Sequence, residues 1–206
     1  MLFLSFSELI DLVAMIIFLG LIFWDIFRIP HTSYSAYEPL EEVYLKKRRN
    51  NRTFLGIPAR DFWNSVMIVA PAIALHEMAH KFLANSFGIQ AVFHASYFWL
   101  ILGLILKLVR FPFLIFVPGY VSIYGSGTPL QNAAVAFAGP AANLLLWLGS
   151  LILLKSRIRI SSDKRMLLAL SARVNMFLFL FNMLPIPPFD GFSVFSNLFV
   201  LLKAFF

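Results

Sequence analysis

Residues 62–81 read FWNSVMIVAPAIALHEMAHK. The stretch is almost wholly apolar as far as Leu75, and then two histidines and a glutamate follow within five positions. Hydrocarbon cannot solvate an ionisable group, so residues of this kind at the far end of an apolar helix cost kilocalories and are usually kept for a task. The stretch therefore predicts a membrane-crossing helix with a chemical site built into it.

The rest of the chain agrees. Of 206 residues, 60% are hydrophobic, 24 are Phe and only 13% are charged, against about 25% charged in an ordinary soluble domain. Mean hydropathy is +0.82. A soluble core of this size cannot use so much apolar surface. The expected fold class is an all-α polytopic membrane protein. It is expected to be a bundle of about five to six transmembrane helices with a re-entrant, partly extended (β) segment between its motif halves. Residues 1–206 read as one integral, multi-pass domain in the lipid bilayer of the cell membrane. The N-terminus has no basic leader region or small-residue cleavage pattern and reads as a retained helix.

There is no cysteine, which excludes disulfides and thiolate metal ligands and leaves His, Asp and Glu to build any metal site. The histidines are His31, His76, His80 and His94. The net charge of +7 suits anchoring against anionic headgroups. No nucleic-acid partner is expected, because no soluble basic domain is visible.

Along the chain, residues 8–27 form a first span, with Asp11 and Asp25 read as interfacial. Residues 28–61 form a basic loop carrying KKRR at 46–49. A second span covers 62–87, with Pro71 as a kink and Gly88 as its C-cap. Two apolar pieces follow, 92–109 and 111–124, parted by Arg110 and Pro112. The second is rich in β-branched and aromatic residues and reads as extended or re-entrant chain, so the whole of 88–130 is taken as a re-entrant segment. Residues 131–154 span again, with Ala134, Ala138 and Ala142 at a spacing that lets helices approach closely. A short basic loop at 155–165 leads to a span over 166–184. Three prolines and a glycine break the chain in NMLPIPPFDG, 182–191, before a final apolar helix over 192–206.

His76 and His80, four apart, share one helix face. Glu77 lies about 100° round from His76, close enough to touch a water on an ion that both histidines hold. This is the H-E-x-x-H arrangement of zinc hydrolases. A catalytic zinc takes three protein ligands and keeps one position open. Asp190, just past a helix break where a side chain can turn inward, is the favoured third ligand, and His94 is the rival. Threading supports Asp190. If the two basic loops share one face, the spans starting at 62 and 166 carry His76 and Asp190 toward the other, and 88–130 must make zero or two crossings. Asn182 reads equally as a donor to a substrate carbonyl and as a helix-ending cap. Asn143 reads as interhelical glue, and Arg173 as a residue that snorkels to the basic face.

Three stretches together resemble the site-2 protease family of intramembrane zinc metalloproteases: HEMAH at 76–80, FAGPAANLLL at 137–146 and NMLPIPPFDG at 182–191. PGYVSIYG at 118–125 is similar to the family's membrane-inserted β segment. The resemblance covers roughly 62–200. It implies one zinc per chain held by His76, His80 and Asp190, with Glu77 as general base and Asn182 near the substrate. The implied reaction is hydrolysis of a peptide bond within or near a transmembrane segment of a membrane-protein substrate. Ala79 stands where many members have glycine, the piece at 95–109 lengthens the segment before the β element, and no substrate-selecting domain is visible. The alternatives are a membrane metal-binding or transport protein and a catalytically silent scaffold. The loops 28–61 and 155–165 hold 12 of the 17 Lys and Arg. The positive-inside rule therefore puts them in the cytosol and the site nearer the outer face, whereas the resemblance implies a site nearer the cytosol.

Overall fold

A capping box starts the first helix. In the computed structural model, which describes residues 4–27, 53–54, 56–111 and 117–204, Ser5 Oγ accepts the Glu8 N–H at 3.3 Å and Glu8 Oε2 accepts the Ser5 N–H at 2.7 Å. Two otherwise orphaned donors are thereby satisfied at the head of α1 (Phe6–Phe23). Helices α2 (Ala59–Ser86), α3 (Tyr97–Leu108), α4 (Pro129–Lys155), α5 (Ser162–Asn182) and α6 (Asp190–Lys203) follow. α4 uses the same device, Thr128 with Gln131, and places Pro129 in its first turn, where no N–H is needed. α2 continues through Pro71 without interruption. It stops where Gly88 takes φ +76° and the Ile89 N–H turns back to Ala84 O at 3.0 Å.

Two strand pairs complete the elements. β1 (Thr53–Phe54) and β2 (Ile57–Pro58) form a small antiparallel pair ahead of α2. β3 (Gln90–Ala95) pairs antiparallel with β4 (Gly119–Tyr124), Phe93 facing Val121. The expected extended segment is thus present as β4. Its partner β3 lies inside the piece 92–109, which divides into strand and then helix α3. In β3, Ala91, Phe93 and Ala95 are buried while Gln90 is exposed, the period-2 pattern of a strand with one face on the core.

Among the described residues, α1, α2, α4 and α5 are long and apolar enough to cross a membrane. α3 and α6, with 12 and 14 residues, extend only about 18 and 21 Å, short of a core of about 30 Å. Among the described residues the bundle therefore has four helices of spanning length, against the five to six expected, and two shorter ones. The KKRR run lies outside the described residues.

Contacts set the directions of the helices. α1 and α2 are antiparallel: Glu8 pairs with Lys81, while Gly20 packs on Phe62 and Val66 so closely that a Cβ there would sit 2.8 Å from Val66 Cγ2. Arg60 Nη2 meets Asp163 Oδ2 at 2.7 Å, so α2 and α5 start at the same end, as the threading required. Tyr97 donates to Asp11 Oδ1 at 2.7 Å and Lys107 pairs with Asp25. Thus β3 and α3 climb beside α1 toward the Arg60 end, and the chain comes back through β4. Asp11 on α1 and Asp25 in the turn just past it, both read as interfacial, are each held by a side chain of α3. The core lies where these elements meet, around Met15, Leu19, Ile68, Phe93 and Leu100.

Candidate metal centre

α2 brings His76 and His80 to one face, one turn apart, with both rings buried. Their Nε2 atoms are 3.1 Å apart. Asp190, the first residue of α6, places Oδ2 at 3.1 Å from His76 Nε2 and 3.3 Å from His80 Nε2. The three form the metal-capable group found among the described residues. His94 is not part of it. That residue sits on β3 with its ring against Tyr120 and Nδ1 at 3.9 Å from Asp11 Oδ2. His31 lies outside the described residues.

The other ring nitrogens decide what these three atoms can do. His80 Nδ1 lies 2.7 Å from Val135 O. A carbonyl oxygen only accepts, so Nδ1 carries the proton and Nε2 of the neutral ring offers a lone pair. His76 Nδ1 lies 2.6 Å from Asn143 Oδ1. The Asn143 amide cannot flip, because its Nδ2 donates to Ala72 O at 2.8 Å and to Asn175 Oδ1 at 2.9 Å. Asn175 is oriented in turn by donating to Ser171 O at 2.9 Å. His76 Nε2 is therefore also a lone-pair donor.

Two imidazole lone pairs and a carboxylate oxygen thus converge within 3.3 Å, and they repel unless a cation stands between them. A tetrahedral ion with bonds of about 2.0–2.1 Å requires ligand separations of about 3.3–3.4 Å. Two imidazoles and one carboxylate, with a fourth position open, is a donor set of catalytic zinc. The residues present fit that ion.

Two glycines make the convergence possible. A Cβ on Gly139 would lie 2.6 Å from His76 Nε2 and closer still to His80 Nε2, so α4 leaves room for an ion where any side chain would fill it. A Cβ on Gly191 would meet Met183 O at 2.5 Å and Leu184 O at 2.7 Å. Only glycine lets α6 start against that backbone, and that start is what aims Asp190. Its carboxylate also lies at the favourable N-terminal end of the helix dipole.

Glu77 is half-buried on the same turn, between the two histidines in sequence. Asn182 ends α5, half-buried, and its side chain makes no hydrogen bond among the described residues. Asn143 is interhelical glue, as read from the sequence, and it also holds a metal-capable histidine. Asn175, which orients Asn143, belongs to none of the motifs. The signal in the sequence is an Asn inside an apolar span, which requires partners once buried.

No family model and no solved structure matches the chain. Among curated proteins it is similar to three that carry the provisional name of zinc metalloprotease. One, from Methanocaldococcus jannaschii, is 40% identical over 128 residues, covering 62% of this chain and 66% of that protein. A second, from Synechocystis sp., is 28% identical over 65% of this chain and 31% of its own length. A third, from Bacillus subtilis, is 27% identical over 65% of this chain and 68% of its own length. The chain spans less than two thirds of the first two relatives. These likenesses and the donor set support the same class, a zinc metalloprotease.

Proposed function

We propose that this chain is a multi-pass integral protein of the cell membrane and an intramembrane zinc metalloprotease of the site-2 protease type. It hydrolyses a peptide bond within or near a transmembrane segment of another membrane protein. The observation that carries this reading is the convergence of His76 Nε2, His80 Nε2 and Asp190 Oδ2 within 3.3 Å inside an apolar bundle. His76 lies 17 residues past the start of α2, about 26 Å along the helix. In a core of about 30 Å that depth is still within the membrane.

His76, His80 and Asp190 would hold the zinc, which supplies Lewis acidity for the scissile carbonyl and for water. Glu77 takes a proton from the attacking water onto its carboxylate and delivers it to the leaving nitrogen. Asn182, with its amide uncommitted, donates to the substrate carbonyl. Burial of both histidines keeps bulk water off their rings, while Asp190 stays partly exposed.

A helical peptide bond is shielded by its own hydrogen bonds, so the substrate must unwind. An extended substrate segment can add to an open sheet edge, and among the described residues β4 pairs only with β3 and offers one. Val121 packs against the cluster containing Val135, the residue whose carbonyl holds His80. Side-chain packing thus links the strand to the helix that holds His80.

The test is zinc content and hydrolysis of apolar peptides by detergent-purified protein. One zinc per chain is expected, with Glu77→Gln keeping the zinc and losing hydrolysis. Full hydrolysis by Glu77→Gln would sink the reading. Zinc flux into proteoliposomes, abolished by His76→Ala and untouched by Glu77→Gln, would put metal transport in its place.

A further inference from the structure

One carboxylate oxygen, Glu8 Oε1, is shared by two donors from distant parts of the chain. Lys81 Nζ reaches it from α2, one residue past His80. The Phe93 N–H reaches it from the middle of β3 at 2.8 Å. The other oxygen accepts the Ser5 N–H in the capping box. The side chains of Glu8 and Lys81 are only 5% and 4% exposed. Desolvating two charges opposes folding unless their geometry and hydrogen bonds repay it, and nothing in the hydrolytic chemistry uses this pair.

The Phe93 N–H points away from β4, and so do its neighbours on that edge. Ala91 N donates to Asn85 Oδ1 at 3.1 Å and Ala95 N to Asp11 Oδ2 at 3.2 Å. In an antiparallel ladder the facing residues then also turn their backbone groups outward, and those residues are Ile123, Val121 and Gly119. The outer edge of β3 is closed by side chains of α1 and α2, and the receptive edge of the sheet is on β4. Glu8 Oε1 is the atom that joins the ligand-bearing turn of α2 directly to the centre of this sheet.

We propose that Glu8 and Lys81 are positioning residues that set the register between the receptive β4 edge and the metal centre, and so decide which peptide bond of an added substrate strand reaches Glu77. The proposal rests on the protease reading above. Neither side chain touches substrate; both act through β3 and α2.

The experiment compares wild type, Lys81→Met, Glu8→Gln, the exchange Glu8→Lys with Lys81→Glu, and Asp25→Asn, in the turn just past α1, as a control at the other end of that helix. Each is given a synthetic apolar peptide of about 20 residues, with products identified by mass and zinc measured in parallel. Lys81→Met and Glu8→Gln are expected to keep one zinc per chain. They are expected to cut at neighbouring bonds as well as the wild-type bond, with kcat reduced about tenfold or more and little change in KM. The exchange restores opposite charges, but a lysine at position 8 cannot accept the Phe93 N–H, so it stays defective. Asp25→Asn cuts as wild type does. Zinc-loaded Lys81→Met or Glu8→Gln cutting only the wild-type bond at the wild-type rate would overturn the proposal and leave the protease reading standing, as would full rescue by the exchange. A zinc-loaded wild type that cuts no peptide overturns both.

Discussion

His76 Nδ1 and Asn143 Oδ1 meet at 2.6 Å across the α2–α4 contact, and Asn143 has no alternative orientation because both its donor bonds are committed. The amide fixes the tautomer and the plane of a ring whose other nitrogen faces Asp190. Asn143→Leu is expected to lower zinc affinity about 10- to 100-fold, read by competition with a chelator. Asn175→Ala, acting only through Asn143, is expected to cost less. Unchanged affinity in both would show that His76 needs no such partner.

Gly139→Ala would put a methyl group 2.6 Å from His76 Nε2, where an ion would sit. Elemental analysis is expected to find almost no zinc in this variant and one zinc per chain in His94→Ala. Zinc lost from His94→Ala instead would move the third ligand to β3.

Gly191→Ala drives a Cβ into the backbone carbonyls of Met183 and Leu184, which cannot move aside as a flexible side chain can. Overpacking of this kind costs about 1–3 kcal/mol. A lower melting temperature is expected together with weaker zinc binding, because the shifted helix carries Asp190. A wild-type melt with wild-type zinc affinity would contradict the assigned role.

Proline scanning of β4 separates its two edges. At Ile123 the N–H faces outward, so proline there should leave the pairing with β3 intact, retain zinc and abolish hydrolysis. At Ser122 the N–H faces β3, and proline should destabilise the protein as well. Hydrolysis surviving Ile123→Pro would exclude strand addition at this edge.

The absence of native cysteine makes single-cysteine labelling clean. The Arg60–Asp163 pair at 2.7 Å places the starts of α2 and α5 at one end. Thr53→Cys, at an exposed position just ahead of α2, and Arg157→Cys are therefore expected to react with an impermeant maleimide from the same side of the membrane. Ser126→Cys, just before α4, is expected to react from the other. Labelling of the first two from opposite sides would break the threading on which the site's depth depends.

Features that depend on near neighbours are legible in the chain alone. A 3.6-residue period puts His76 and His80 on one face wherever they sit on a helix. Apolar runs place α1, α2, α4 and α5, and the prolines before Asp190 end a helix where a ligand can turn inward. β3 was not legible, since a short apolar run looks alike as strand or helix until a partner is present. Tertiary structure alone decided which ring nitrogen of each histidine is free and which edge of the sheet is open. Those depend on partners 67, 55 and 85 residues away: Asn143 for His76, Val135 for His80 and Glu8 for Phe93. No local propensity encodes such pairs. They form only when helices pack and each buried polar group must find a partner or carry the full cost of its desolvation.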